Sequence, residues 1–287
     1  MTTLTTFEIA AVNNTLKAMP KPLQIEAKEG WTSTGEAQVL AIRPIGDEDL
    51  KFIPVFHSAD LEDGLTPKEI ADEVERIYAK QVDDLDFDAD DVSSKEYILA
   101  NVQPRLIREE KTEYARRHNI LLIPFLNLYI YFAVTIKEST DTGELVSYSL
   151  DITNLEKADI TEDELLKAAK GNLRRSVNIE SIEDVLGLMD EDMGTTFSVA
   201  SNTSRHYGAA VMILNDVLSD FESKAGSFHI IPSSVHEVLL VPDSLNIPPA
   251  ELKDMLLDVN STVVRDEEVL GLEVYSYKDG KLAVEEQ

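Results

Sequence analysis

The sequence predicts an α+β fold built from three strand-strand-helix units, with mainly antiparallel sheets and the helices packed on one face. Three observations predict it. One helix-start pattern occurs three times, a pair of strand-like runs precedes each start, and the apolar positions that follow each start keep helical spacing.

The first unit spans 1–82. Val39 to Ile45 and Phe52 to His57 read as strands, and the helix opens at Leu65-Thr66-Pro67-Lys68-Glu69-Ile70. Thr66 at the N-cap and Glu69 three residues on form a capping box, and Leu65 with Ile70 forms the hydrophobic staple around it. Ile70, Val74, Ile77 and Tyr78 then share one helix face. Trp31, the single tryptophan, stands in a polar stretch from Gly30 to Gly35 and is expected in a lid over this unit's sheet. Residues 83–93 follow as an acidic linker, because six aspartates around Leu85 and Phe87 repel one another and disfavour packing.

The middle unit spans 94–178. Ser94 to Arg117 reads as a long helix broken at Pro104, where proline removes a ladder donor. Its Arg105, Arg108, Arg116 and Arg117 form a basic stripe expected to pair with the protein's own carboxylates. From Leu126 to Ile136 apolar residues alternate with Asn127, Tyr129, Tyr131 and Thr135, the period of a strand. A second strand is expected over Leu145 to Ile152, then a helix capped by Thr161 and Glu164, stapled by Ile160 and Leu165, with Leu165, Ala169 and Leu173 facing the core.

The last unit spans 179–287. Asn178 to Asp192 carries six acidic residues and no Lys or Arg, with Ile182, Val185, Leu186 and Met189 at helical spacing. Phe228 to Ile231 and Val235 to Val241 read as strands. The third helix start, at Ile247-Pro248-Pro249-Ala250-Glu251-Leu252, keeps the staple but has Pro248 where a threonine would cap it. Tyr275 to Val284 reads as a hairpin over Asp279-Gly280, a dipeptide suited to the type I′ turn.

Composition narrows the function. With 54 Asp and Glu against 26 Lys and Arg, the formal charge of -28 opposes a phosphate backbone, so direct nucleic-acid binding is not expected. There is no cysteine, hence neither disulfide nor thiolate chemistry. The first residues lack the charged and apolar regions of a signal peptide. The most apolar stretch, Ile120 to Val134, is shorter than the roughly 20 residues of a membrane span and holds Pro124 and Asn127. A soluble, cytoplasmic protein is expected, with no membrane contact.

The candidate chemistry is sparse. Asp84, Asp86, Asp88 and Asp90 alternate like the first ligands of a calcium loop, but Ala89 and Lys95 stand where that loop needs glycine and glutamate. No cofactor or metal is expected, since His57, His118, His206 and His229 show no ligand spacing either. In Pro232-Ser233-Ser234-Val235-His236-Glu237, an extended chain puts Ser234 and His236 on one side, a catalytic nucleophile and its base, while Glu237 points away and cannot complete a triad. The alternative is that the serines make a turn and His236 is a hydrogen-bonded strand residue. The glycine patterns of phosphate-binding and hydrolase motifs do not occur.

Tyr207-Gly208-Ala209-Ala210-Val211-Met212, Phe228 through Pro242 with its Pro232-Ser233-Ser234-Val235-His236-Glu237 core, Glu251 through Thr262, and Val274-Tyr275 together resemble an uncharacterised bacterial family, a domain of unknown function met in Firmicutes and mobile elements. The resemblance extends from Tyr207 to Tyr277 and, more thinly, over Val102 to Leu173. It implies a bacterial cytosolic setting, with a mobile element or phage as source, and transfers no catalytic or binding residue. The resulting expectation is a non-enzymatic factor for a protein partner with a basic surface, in its concrete form an inhibitor of a host defence nuclease that mimics nucleic-acid charge. Its interaction residues would be Asp83, Asp84, Asp86, Asp88, Asp90, Asp91, Glu180, Glu183, Asp184, Asp190, Glu191 and Asp192. The alternative is a small-molecule hydrolase using Ser234 and His236.

Overall fold

The computed structural model of the chain describes residues 3–32, 35–46, 55–58, 61–83, 89–139, 144–186, 196–265 and 268–285. It is an α+β protein whose sheets are antiparallel throughout the described pairs, and it divides into two compact units, 1–93 and 94–287.

In the first unit, helix α1 (Thr6–Leu16) opens on a capping box. Thr5 Oγ1 accepts from the Glu8 amide, and the Glu8 carboxylate accepts from the Thr5 amide. Strands β1 (Leu23–Thr32) and β2 (Gly35–Pro44) form a hairpin from Leu23↔Pro44 to Thr32↔Gly35, and β3 (Val55–His57) pairs on the far side of β2. Trp31 therefore lies in a strand, opposite Glu36, and not in a lid. Helix α2 (Pro67–Asp83) starts as expected, with Thr66 and Glu69 exchanging hydrogen bonds. Its Ile70 and Val74 are buried with Leu16, Leu40 and Phe56 in one core. The short α3 (Ala89–Val92) completes the unit.

The second unit opens with α4 (Lys95–Asn101), capped by Ser94, and then departs from expectation. Val102–Arg108 is a strand, β4, not a continued helix: it pairs with β6 (Leu128–Ser139) from Val102↔Val134 to Arg108↔Leu128. β4 lies at the sheet edge, where proline is tolerated because outward N–H groups need no ladder partner. Helix α5 (Glu113–Arg117) leads to β5 (Ile123–Phe125), which also pairs with β6. Leu126 sits in the turn between them at φ 53, so the alternating run begins at Leu128. From there Leu128, Ile130, Phe132 and Val134 are buried, and β7 (Glu144–Ser149) pairs with the far half of β6 across a bulge between Thr135 and Lys137.

After α6 (Ile152–Ala158), helix α7 (Glu162–Ser176) opens with both hydrogen bonds of the Thr161–Glu164 box. It buries Leu165, Ala169 and Leu173, and each leucine withdrawn from water contributes on the order of 1.5–3 kcal/mol. The acidic stretch begins as β8 (Val177–Ser181) and turns helical at α8 (Ile182–Leu186). β8 pairs with β9 (Ser198–Asn202), while Ile182, Val185 and Leu186, read at helical spacing, lie in α8. Then come α9 (Asn215–Ala225), β10 (Phe228–Ile231), β11 (Val238–Pro242), α10 (Pro249–Thr262), β12 (Tyr275–Lys278) and β13 (Lys281–Val284). Pro248 caps α10 without a side-chain bond, and the final hairpin turns through Asp279 and Gly280, both at positive φ.

These strands form a six-stranded sheet in the order β13-β12-β10-β11-β9-β8, beside the sheet made by β4 to β7. The segments read from sequence as middle and C-terminal units share a single hydrophobic cluster, reaching from Ile98 to Tyr277. At its centre lies the 3₁₀ turn Gly208–Ile213, six residues that are all buried and that pack against β9, β4 and α7.

Candidate functional site

The local chain between β9 and the 3₁₀ turn is wound around one side chain. Asn202 Oδ1 accepts from the His206 amide and from Ser204 Oγ, and Asn202 Nδ2 donates to the His206 carbonyl. This binding tolerates two non-glycine residues in the left-handed region, Arg205 and Tyr207, both at φ 57. Such conformations cost on the order of 1–2 kcal/mol each and persist only where surrounding bonds over-determine them. Tyr207 is held from the other side as well, because its amide donates to His236 Nδ1 at 3.2 Å.

His236 is where the sequence placed a catalytic base. It stands not in a strand but in the bend before β11, and the extended geometry that would put Ser234 beside its ring is absent. Ser234 Oγ instead accepts from the His236 backbone amide at 3.0 Å, closing a local serine turn. The imidazole is engaged at both nitrogens: Nδ1 accepts from Tyr207, and Nε2 faces Glu268 Oε1 at 3.5 Å. These contacts assign the proton to Nε2, so no lone pair is left to deprotonate Ser234. Burial pushes the His236 pKa down, with Glu268 pulling the other way. Burial pushes Glu268 up, but the hydrogen bond and charge of Arg265, aided by His236, hold its carboxyl below the ordinary value. The arrangement fixes backbone: Ser201 Oγ donates to the His236 carbonyl at 2.7 Å, and Gly208 fits so closely that a Cβ there would stand 2.7 Å from that carbonyl and 2.6 Å from the Asn202 nitrogen.

On the other side of Tyr207 lies a cavity of about 70 Å³. Among its lining residues is Arg105 on β4, only 7% exposed, whose guanidinium carbon lies 3.8 Å from the centre of the Tyr207 ring. Arg105 Nη2 donates to Ser147 Oγ at 2.7 Å, while its Nε is buried without a partner among the described residues. Gln103 Oε1, which also lines the cavity, is likewise buried without one. The Tyr131 hydroxyl adjoins the guanidinium, and burial pushes its pKa far up, so the phenol stays neutral and supplies no counter-charge. Arg105 thus corrects the expectation for the basic stripe: no described carboxylate pairs with it, whereas Arg116 does pair with Glu109 at 3.1 Å. Sequence reasoning missed this residue's role because Ser147 and Tyr207 reach it through sheet pairing and the buried turn.

The acidic candidates are spread. Asp84, Asp86, Asp88, Asp190, Glu191 and Asp192 lie outside the described residues; Asp83 ends α2, and Asp90 and Asp91 belong to α3, with Asp91 exposed. Glu180 pairs with Arg205 at 2.7 Å, Glu183 accepts from Thr196 Oγ1, and Asp184 accepts from Ser181 Oγ at the start of α8. Among the described residues no three His, Asp or Glu side chains converge as metal ligands, and no helix is long and apolar enough to cross a membrane. His206 lies 6.0 Å from His236 between ring centres, and His229 pairs with Asp243.

A model for a family of unknown function, DUF5688, matches residues 53–279. No curated protein and no solved structure matches the chain.

Proposed function

This chain belongs to that family of unknown function (DUF5688), whose description carries no activity to transfer, and we propose that it is a non-enzymatic binding protein whose acidic exterior engages a protein partner with a basic surface. The observation that supports this reading is where the charge sits. Among the described residues no Asp or Glu is buried, and Arg105 is the only buried charged side chain. An excess of 28 carboxylates remains even if every Lys and Arg neutralises one, as Lys253 does Glu273 and Lys95 does Glu164. An outward field of that sign steers cationic surfaces inward and turns phosphate backbones away. Ser234 and His236, engaged with main chain and with other side chains, leave the hydrolase alternative without an observation in its favour.

The concrete form of the reading is a cytoplasmic inhibitor of a bacterial defence nuclease, supplied by a phage or mobile element, with carboxylates standing where phosphates would lie. The test is a pull-down from bacterial lysate with the tagged chain at low and at moderate salt. A basic protein retained at low salt, retained less at moderate salt, and re-forming the complex from purified components supports it; the nuclease form further requires that the captured enzyme lose activity. Retention no better than the untagged control at both salts overturns it.

A further inference from the structure

We infer that the cavity over Arg105 is a binding site for a small oxyanion, a carboxylate or phosphate group of a few heavy atoms. Arginine keeps its charge at any ordinary pH, and a buried charge is tolerated only when paired. Here the described protein supplies two neutral hydroxyls, those of Ser147 and Tyr131, and the π face of Tyr207, and leaves Nε without an acceptor. A planar guanidinium whose Nε–H has no acceptor is the group best matched to two oxygens of an oxyanion. Gln103 adds a second unfilled position at the same cavity: its oxygen takes the hydrogen of a protonated ligand such as hydrogen phosphate, and rotation of the amide offers its NH₂ to an unprotonated one.

The surroundings support the sign and the size. The described lining residues include Thr203, Ser204 and His206 but no Asp or Glu, in a chain that carries 54 of them. The overall negative field is screened beyond about 8 Å at physiological ionic strength, so within the cavity the nearest full charge is that of Arg105. A volume of about 70 Å³ exceeds what one water needs and falls far below the roughly 300–1,000 Å³ of drug-sized ligand pockets. The ligand is therefore a free small anion, or the anionic end of a molecule whose remainder lies outside. The strained turn through Arg205 and Tyr207, locked by Asn202, holds the rim in place before any ligand arrives.

The test is equilibrium dialysis of the full chain against labelled inorganic phosphate and, in a separate arm, labelled acetate. Saturable uptake of one anion per chain in either arm, with Kd at or below about 1 mM, is expected, and the arm that gives it identifies the source. R105Q weakens uptake at least tenfold. T203D, at an exposed rim position, also weakens it at least tenfold by bringing a carboxylate to an acid-free lining, while circular dichroism and melting temperature report an intact fold. T203D decides the matter if R105Q does not fold. Absence of saturable uptake up to about 10 mM in both arms shows a cavity filled by water alone and overturns the inference, as does uptake that T203D leaves unchanged.

Discussion

Gly208 shows how one residue fixes the centre of the second unit. Its missing side chain lets the turn approach Ser201, Asn202 and the His236 carbonyl at distances no Cβ can occupy. Because two of those neighbours are backbone atoms, G208A must displace main chain. A loss of about 1–3 kcal/mol or more in urea unfolding is expected, the cost of overpacking a filled core; a variant within about 0.5 kcal/mol of the parent shows that the turn yields without cost. Ser234 and His236 teach the complementary lesson. Their residue types announce a nucleophile and base, yet the serine hydroxyl satisfies the amide two residues on, as serine in a turn commonly does. The cue for that turn was present in the Pro-Ser-Ser sequence; the cue for the partners of the histidine was not, since Tyr207 and Glu268 are remote in the chain.

Among the elements, helix starts were the most legible because capping is local chemistry within four residues. Thr66 and Thr161 make both bonds of their boxes, and the same rule applied to Thr5 and Glu8 would have found α1. T161A removes the acceptor for the Glu164 amide and is expected to destabilise the protein by about 1 kcal/mol in chemical denaturation. An unchanged midpoint would mean that packing alone sets where α7 begins. Strands were read less well. Val102–Arg108 and Val177–Ser181 carry sequence that suits either conformation, and the choice is made by β6 and β9, the strands they pair with. β1 and β9 went unread for the same reason.

At the scale of the whole molecule, a charge of -28 acts against folding, because compaction brings like charges together. Raising salt from about 10 mM to about 150 mM shortens the screening length from roughly 30 Å to 8 Å. The melting temperature should rise by at least about 2 °C, the shift that about 1 kcal/mol gives in a domain of this size; a flat or falling Tm over that range would show the carboxylates already neutralised in the fold. The sequence by itself determined the fold class, the helix starts, the final hairpin and the sign of the surface, since each depends on neighbours along the chain or on totals. Tertiary structure alone decided that the middle and C-terminal segments share a core, that His236 braces a turn, and that Arg105 sits buried with no carboxylate partner among the described residues. Those facts depend on contacts such as Arg105 with Tyr207, and the chain between such partners records nothing of their meeting.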